Sequence, residues 1–155
     1  MIKVLASGMG RLGTLKSVSS VSRYEEINGE NTLDFTADLN DRLRDLIDET
    51  TIFEVDANFF DIALFKKNVN EDFTVTIEVE SEHVSYRLNN PAYNVEYFTE
   101  MGTPSYILGK ILEGTDFTVG TVEMTTVETY SAQEAKSRRQ LLMEFAAYED
   151  GELIF

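Results

Sequence analysis

Hydrophobic residues recur at two spacings along this chain, and the change from one to the other organises it. Over the first two-thirds the period is two. Residues 2–6 form a short apolar run, and residues 12–21 are rich in Ser, Thr and Val, which favours extended backbone over helix. Leu33, Phe35 and Ala37 alternate with Asp34 and Thr36, the mark of a strand with one buried face. Asn28-Gly29 stands between this segment and residues 20–27, so the spacing predicts a hairpin closed by a two-residue type I′ turn. The cleanest alternation comes at 73–80, with Phe73, Val75, Ile77 and Val79 on one side and Thr74, Thr76, Glu78 and Glu80 on the other. Strands are also expected at 51–55 and 59–66, joined by the tight turn Asp56-Ala57-Asn58. One helix interrupts them at 38–49, where Leu39, Leu43, Leu46 and Ile47 fall at helical spacing and Asp38 or Asn40 serves as N-cap.

After Leu88 the character changes. Asn89-Asn90-Pro91 breaks the pattern and divides the chain into a β-rich domain at 1–89 and a smaller α/β domain at 90–155. Thr103-Pro104 reads as an N-cap followed by proline at the first helical position, Ile107, Leu108, Ile111 and Leu112 as the buried stripe, and Gly114 as the glycine after the C-cap. Residues 117–129 are β-branched and predict a strand or hairpin. Ser131-Ala132-Gln133-Glu134 has the form of a capping box, opening a second helix to about Tyr148 that buries Ala135, Leu142, Phe145 and Ala146. Asp150-Gly151 forms a turn. The chain stops inside the apolar stretch 152–155, so it is expected to continue into a longer protein.

Composition narrows the function. The 155 residues carry 28 Asp plus Glu against 13 Lys plus Arg, a net charge of −15. A protein that holds nucleic acid normally shows a basic footprint, because phosphate neutralisation supplies most of the affinity. This chain should repel nucleic acid and anionic membranes alike, so stable membrane binding is not expected. Hydrophobic residues at 43% are enough for a packed core. The absence of cysteine removes disulfides, thiolate nucleophiles and zinc–thiolate sites, and suits assembly in a reducing compartment.

Candidate chemistry is sparse. Gly8-Met9-Gly10-Arg11-Leu12-Gly13 matches the dinucleotide-binding fingerprint and follows a strand-like segment. Such a site needs a helix to start within the motif, and residues 14–22 are poor helix formers. A small dinucleotide-binding enzyme is therefore a distant alternative, as is a carboxylate hydrolase, because no pair of acids stands out. Asp38, Asp41, Asp45 and Asp48 cluster near one helix but lack the glycine and distant glutamate of a calcium loop. His83 is the sole histidine, too little for a triad or a transition-metal site, and is expected to be a strand residue with a hydrogen-bonded ring. Lys136, Arg138 and Arg139 form the one basic patch, expected to be a salt-bridged helix face or a subunit contact. Tyr86, Tyr93 and Tyr97 leave a carbohydrate- or receptor-binding module as a second alternative, weakened by the absence of Trp. Glu78, Glu80 and Glu82 line the polar side of one strand, where adjacent like charges cost stability unless solvent or a basic partner faces them. That stripe is the best candidate for a charged surface with a purpose. No catalytic residue, cofactor or metal site is assigned.

The series of segments resembles the N-terminal region of phage and prophage tail hub proteins, the tail-associated lysin or prophage endopeptidase tail family. Four stretches carry the likeness. Leu12-Gly13-Thr14-Leu15 leads into residues 19–26. Ile27-Asn28-Gly29-Glu30-Asn31-Thr32-Leu33-Asp34-Phe35 is similar to the family's E-L-N-G-E-Y-T-L-x-F hairpin. Glu82-His83-Val84-Ser85-Tyr86-Arg87-Leu88 is similar to its A-x-H-I-S-Y-D-L segment, with Arg87 where an acid is common. Residues 131–155 are similar to its helix followed by G-G-E-L, with Glu149-Asp150 in place of a small residue before Gly151.

The resemblance implies a virion structural protein. Its fold would be α+β and β-rich: a tail-tube-like β-barrel or sandwich with one helix, then the smaller α/β domain with two. It implies a homotrimeric hub that closes the distal end of the tail tube and organises the baseplate. Partners would be copies of itself, the distal tail protein, and the tail tube or tape measure. Any lysin or peptidase activity would lie in a C-terminal extension, leaving this chain without enzymatic activity. The location would be the virion tail tip, with assembly in the host cytoplasm. DNA would be passing cargo, and Glu78, Glu80 and Glu82 would face the channel.

Overall fold

The computed structural model describes residues 1–39 and 41–155, with only the backbone of Asp41 described. The chain forms two compact units, Met1–Val84 and Ser85–Phe155. It is β-rich, with 41% strand and 21% helix.

The first unit is one curled antiparallel half-barrel sheet of seven strands. They are β1 (Lys3–Leu5), β2 (Arg11–Thr14), β3 (Ser17–Glu25), β4 (Asn31–Leu39), β5 (Ile52–Val55), β6 (Asn58–Val69) and β7 (Val75–His83), in the spatial order β2-β1-β5-β6-β7-β4-β3. The two edge strands are therefore β2 and β3, which are consecutive in sequence and joined only by Leu15 and Lys16. The central ladder is long and regular: β4 pairs β7 from Thr32↔Glu82 to Leu39↔Val75. Strict alternation puts Leu33, Phe35, Ala37 and Leu39 of β4 and Val75, Ile77 and Val79 of β7 on the same buried face. Phe53 and Phe60 close this core from β5 and β6, with Phe35 and Phe53 packed edge to face at 4.8 Å. Burying each of these large side chains is worth about 1.5–3 kcal/mol, which makes this face the main stabiliser of the unit.

Turn chemistry differs from the sequence reading in an instructive way. The Asn28-Gly29 hairpin exists, but its loop has three residues. The Glu26 amide donates to the Glu30 carbonyl at 2.7 Å and only Asn28 takes a positive φ, of 51°. Gly29 is required by space rather than by φ, since a Cβ there would lie 2.8 Å from the Glu26 side chain. The tight type I′ turn falls instead at Asp56-Ala57, whose φ values are 50° and 65°, between the paired residues Val55 and Asn58. Phe73 is not in β7. It sits in the preceding turn with φ 64° and is 79% exposed.

The predicted helix over 38–49 shrinks to one turn, α1 (Asp41–Arg44). Asp38 and Leu39 belong to β4, because the ladder with β7 carries through to Leu39 and overrides the helical spacing. Leu43 and Ile47 are buried as that spacing requires, whereas Leu46 is exposed. The N-cap expectation at Asn40 lies outside the described residues.

The second unit packs two helices with a two-stranded antiparallel sheet. β8 (Phe98–Gly102) pairs with β9 (Glu128–Ala132), and the helices are α2 (Pro104–Leu112) and α3 (Arg138–Tyr148). Short 3-10 turns occupy Val84–Asn89 and Pro91–Tyr93. Leu88, Phe98, Ile107, Ile111, Tyr130, Leu141, Leu142 and Phe145 form the core. α2 has the expected ends: Thr103 accepts from the Tyr106 amide at 3.4 Å, Pro104 stands at the first turn, and Gly114 takes φ 81° after the C-cap Glu113.

α3 starts later than the sequence pattern indicates. Ser131 and Ala132 are already in β9, opposite Thr99 and Phe98. The capping box is Ser137 with Gln140, each side chain bonding the other's amide at 3.1 Å. Ala135 is thus outside the helix and exposed, while Leu142, Phe145 and Ala146 are buried. The β-branched stretch 117–129 forms no hairpin. Only its last two residues join β9, and 116–127 run without regular secondary structure. Residues 152–155 likewise form no strand. Among the described residues, no helix is long and apolar enough to cross a membrane.

Candidate functional site

The acidic stripe is built by β7 and its two neighbours. Residues of β7 alternate, so Val75, Ile77, Val79, Ser81 and His83 are buried, Glu78 and Glu80 are exposed, and Glu82 is half-buried. Cross-strand register decides what each glutamate meets. Glu78 lies between Thr36 of β4 and Lys66 of β6, with the Lys66 ammonium 3.8 Å from one carboxylate oxygen and the Asn68 amide donating to the other at 3.3 Å. Glu80 lies between Asp34 and Leu64, and Glu82 between Thr32 and Asp61. Two of the three glutamates thus stand directly opposite another acid, and the stripe extends to Asp34 and Asp61. Like charges so placed destabilise a sheet.

The first unit holds 17 of the 28 acids and 8 of the 13 bases, a net −9, so the stripe lies in an already negative field. Among the described residues no three carboxylate, His or Cys side chains converge as a metal site. The arrangement is a row of carboxylates along one sheet face, with Glu78 partnered by the Lys66 ammonium.

Asp34 and Asp61 were not singled out from the sequence. The alternation of Asp34 with Leu33 and Phe35 was visible, but its place opposite Glu80 depends on the β4–β7 register, which joins residues 46 apart in the chain.

The other sequence candidates disperse. Gly8 and Gly10 belong to the turn between β1 and β2, where the Ala6 amide donates to the Gly10 carbonyl at 2.8 Å, and Arg11-Leu12-Gly13 is strand. No helix starts in the motif, so it offers no N-terminal amides to a pyrophosphate, and the dinucleotide reading fails. Asp38 accepts from Thr76 across the sheet, and Asp45 is exposed after α1. Asp48 caps a turn, its carboxylate held below the usual range chiefly by hydrogen bonds from the Thr50 hydroxyl and amide.

His83 ends β7, buried, with its ring edge-on to Phe60 at 5.6 Å. The basic patch is salt-bridged at Lys136, as expected, but its three members do not share one helix face. Lys136 precedes α3, bridges Val95 through its backbone and pairs with Glu144, while Arg138 reaches the Lys110 carbonyl at 3.4 Å. Arg139 is buried, 3.9 Å over the Tyr86 ring. That contact also takes one face of Tyr86 out of any sugar-stacking shelf, although Tyr97 is 59% exposed.

The first unit is thus a curled antiparallel half-barrel with an apolar core on one face and a row of acids on the polar face of β7. Residues 3–83 match the prophage endopeptidase tail N-terminal domain family. The match covers more than half of the chain, and the chain belongs to that family. A solved structure similar to it is the prophage tail protein gp18 from Listeria monocytogenes EGD-e, with a TM-score of 0.66 and 10% identity over 94% of this chain and 44% of that one. At that identity the likeness is one of fold, and this chain spans less than half the length of gp18. No curated protein matches the chain. The family membership supports a structural role in a phage tail.

Proposed function

We infer that the chain is the front part of a tail hub, a trimeric cap that closes the distal end of the tail tube and organises the baseplate. In this reading it is structural, and any hydrolytic activity belongs to a longer C-terminal part. It assembles with copies of itself, the distal tail protein and the tube or tape measure at the virion tail tip. The observation that carries the reading is the acidic polar face of the family-matched half-barrel, where Glu80 and Glu82 face Asp34 and Asp61 across the ladder. Such a face costs stability, and repulsion of anions is the use that offsets this cost. Lining a channel, it lets DNA slide past without adhering.

The test is a phage carrying Glu78→Lys, Glu80→Lys and Glu82→Lys together. The reading expects tails that assemble normally but eject DNA more slowly. Normal ejection from assembled particles would show that the stripe faces elsewhere, and absence of the protein from purified tails would remove the hub role itself.

A further inference from the structure

Residues 116–127 present an unusual combination of sequence and structure. The segment reads Asp-Phe-Thr-Val-Gly-Thr-Val-Glu-Met-Thr-Thr-Val, a composition that favours strands, and it runs directly into β9. Phe117 packs against the core of its own unit and Val119 and Val122 are half-buried, which holds the segment in place. Thr118, Gly120, Thr121 and 123–127 are exposed. From Thr118 to Val127 no backbone group bonds to another backbone group among the described residues. Backbone donors and acceptors in a β-prone stretch normally find a ladder.

A complementary vacancy lies on the half-barrel. β3 is an edge strand of nine residues that pairs only with β4, and seven of the nine are exposed. An open edge of this length is a template for strand addition. Its charges run against the trend of the protein. Lys16 and Arg23 flank a Ser- and Val-rich stretch, seven residues apart, and Lys16 makes no ion pair among the described residues. Arg23 lies over the Phe60 ring at 5.7 Å and pairs with Glu25 through Nη2. The unpaired segment carries acids at the same interval, Asp116 and Glu123, both exposed.

We propose that residues 116–123 of one copy add as an antiparallel strand to the β3 edge of a second copy. Asp116 then lies opposite Arg23, Thr118 opposite Val21, and Glu123 opposite Lys16. This register satisfies the exposed backbone of both segments, brings the Asp116 carboxylate beside the Arg23 guanidinium at its exposed Nη2 end and covers Val21, a valine 56% exposed on the edge. The inference rests on the self-assembly in the hub reading and specifies the surface that performs it.

The absence of native cysteine makes a direct test available. Val21→Cys and Thr118→Cys, both at exposed positions, are introduced together into the full chain and oxidised mildly. Opposed residues on neighbouring strands have the spacing a disulfide accepts. The expected result is a ladder of covalent multimers that collapses on reduction. A mixture of the two single variants should give heterodimers in preference to homodimers. The pair Val21→Cys with Thr126→Cys, out of register, should cross-link at least tenfold less.

Only intrachain disulfides, no disulfides, or equal yield from both registers would overturn the pairing. Independently, Asp116→Lys with Glu123→Lys should weaken association at least tenfold, and copies carrying Lys16→Glu with Arg23→Glu should restore it; unchanged association overturns the proposal. The hub reading is scored separately, by presence in purified tails. A chain found in tails without the cross-link keeps that reading and sinks the pairing, and a cross-linked chain absent from tails does the reverse.

Discussion

Replacing Glu80 by Gln should stabilise the first unit, although Glu80 is a well-formed strand residue. It sits directly opposite Asp34, where Cβ atoms of a cross-strand pair are about 4.5–5.5 Å apart. Splayed carboxylates at roughly 6 Å repel by about 0.7 kcal/mol at the dielectric constant of water. A Debye length of about 8 Å at physiological salt reduces this to about 0.3 kcal/mol. A lower effective dielectric at the sheet surface raises it again, to about 1 kcal/mol at most. Glu80→Gln removes this term and Glu80→Lys reverses its sign, so the Lys variant should gain about twice as much. For a unit of this size the Gln variant should melt about 1–8 °C higher.

Circular dichroism melts of the single variants, of Asp34→Asn and of the double variant measure the effect in 0.15 M and 1 M salt. The double variant should gain less than the sum of the singles, because each alone removes the same repulsion. In 1 M salt, with a Debye length of about 3 Å, the gain should nearly vanish. A loss of stability on Glu80→Gln, or a gain indifferent to salt, would refute the account of the stripe as an electrostatic cost held for function.

Other outcomes follow from particular residues. Ala57→Gly should raise stability by about 0.5 kcal/mol in a denaturant titration, because Ala57 holds φ 65° in the Asp56-Ala57 turn and glycine relieves that strain at some cost in unfolded-chain entropy. Gly102→Ala should destabilise the second unit by about 1–3 kcal/mol, since its Cβ would lie 2.5 Å from Cδ1 of Tyr106, and Tyr106→Ala should recover most of that loss. Ser137→Ala should cost about 1 kcal/mol through loss of the capping box of α3, which a thermal melt would register. Burial, with the nearby Glu144 carboxylate, pushes the Tyr130 phenol up to about 12. The folded state therefore keeps that proton after the unfolded chain has lost it. Its contribution to stability is complete below pH 10 and is lost between pH 10 and 12, and ultraviolet titration of Tyr130→Phe should lack one late-ionising tyrosine.

The elements legible in the sequence were those fixed by local signals. β4 and β7 followed from alternation, and α2 from Thr103, Pro104 and Gly114, each of which acts within one turn of backbone. Misreadings arose where a distant partner decided. Leu39 fits a helix stripe, but its ladder partner Val75 keeps it in strand. Ser131 fits a capping box, but Thr99 claims it for β9 and the helix waits for Ser137. The turn chemistry of Asn28-Gly29 and Asp56-Ala57 was exchanged, because loop length is set by the register of the flanking strands. The candidate site shows the same division. Glu78, Glu80 and Glu82 were visible as one polar face, whereas Asp34 and Asp61 joined it only through strand pairing.

Leu15 and Lys16 are all that separates the two strands at opposite ends of the sheet. Three Cα steps span at most about 11 Å, so Thr14 and Ser17 cannot draw further apart than that. The sheet is therefore a hoop fastened at one point. It cannot flatten at that end, where peptide length limits the separation of the edge strands and Leu15 packs into the core. Away from that link β2 extends for four residues while β3 runs on for nine. Inserting a few glycines after Lys16 would loosen that end while Leu15 stays in the core, so a two-residue link, one half of it a core residue, sets how far the two edge strands can part.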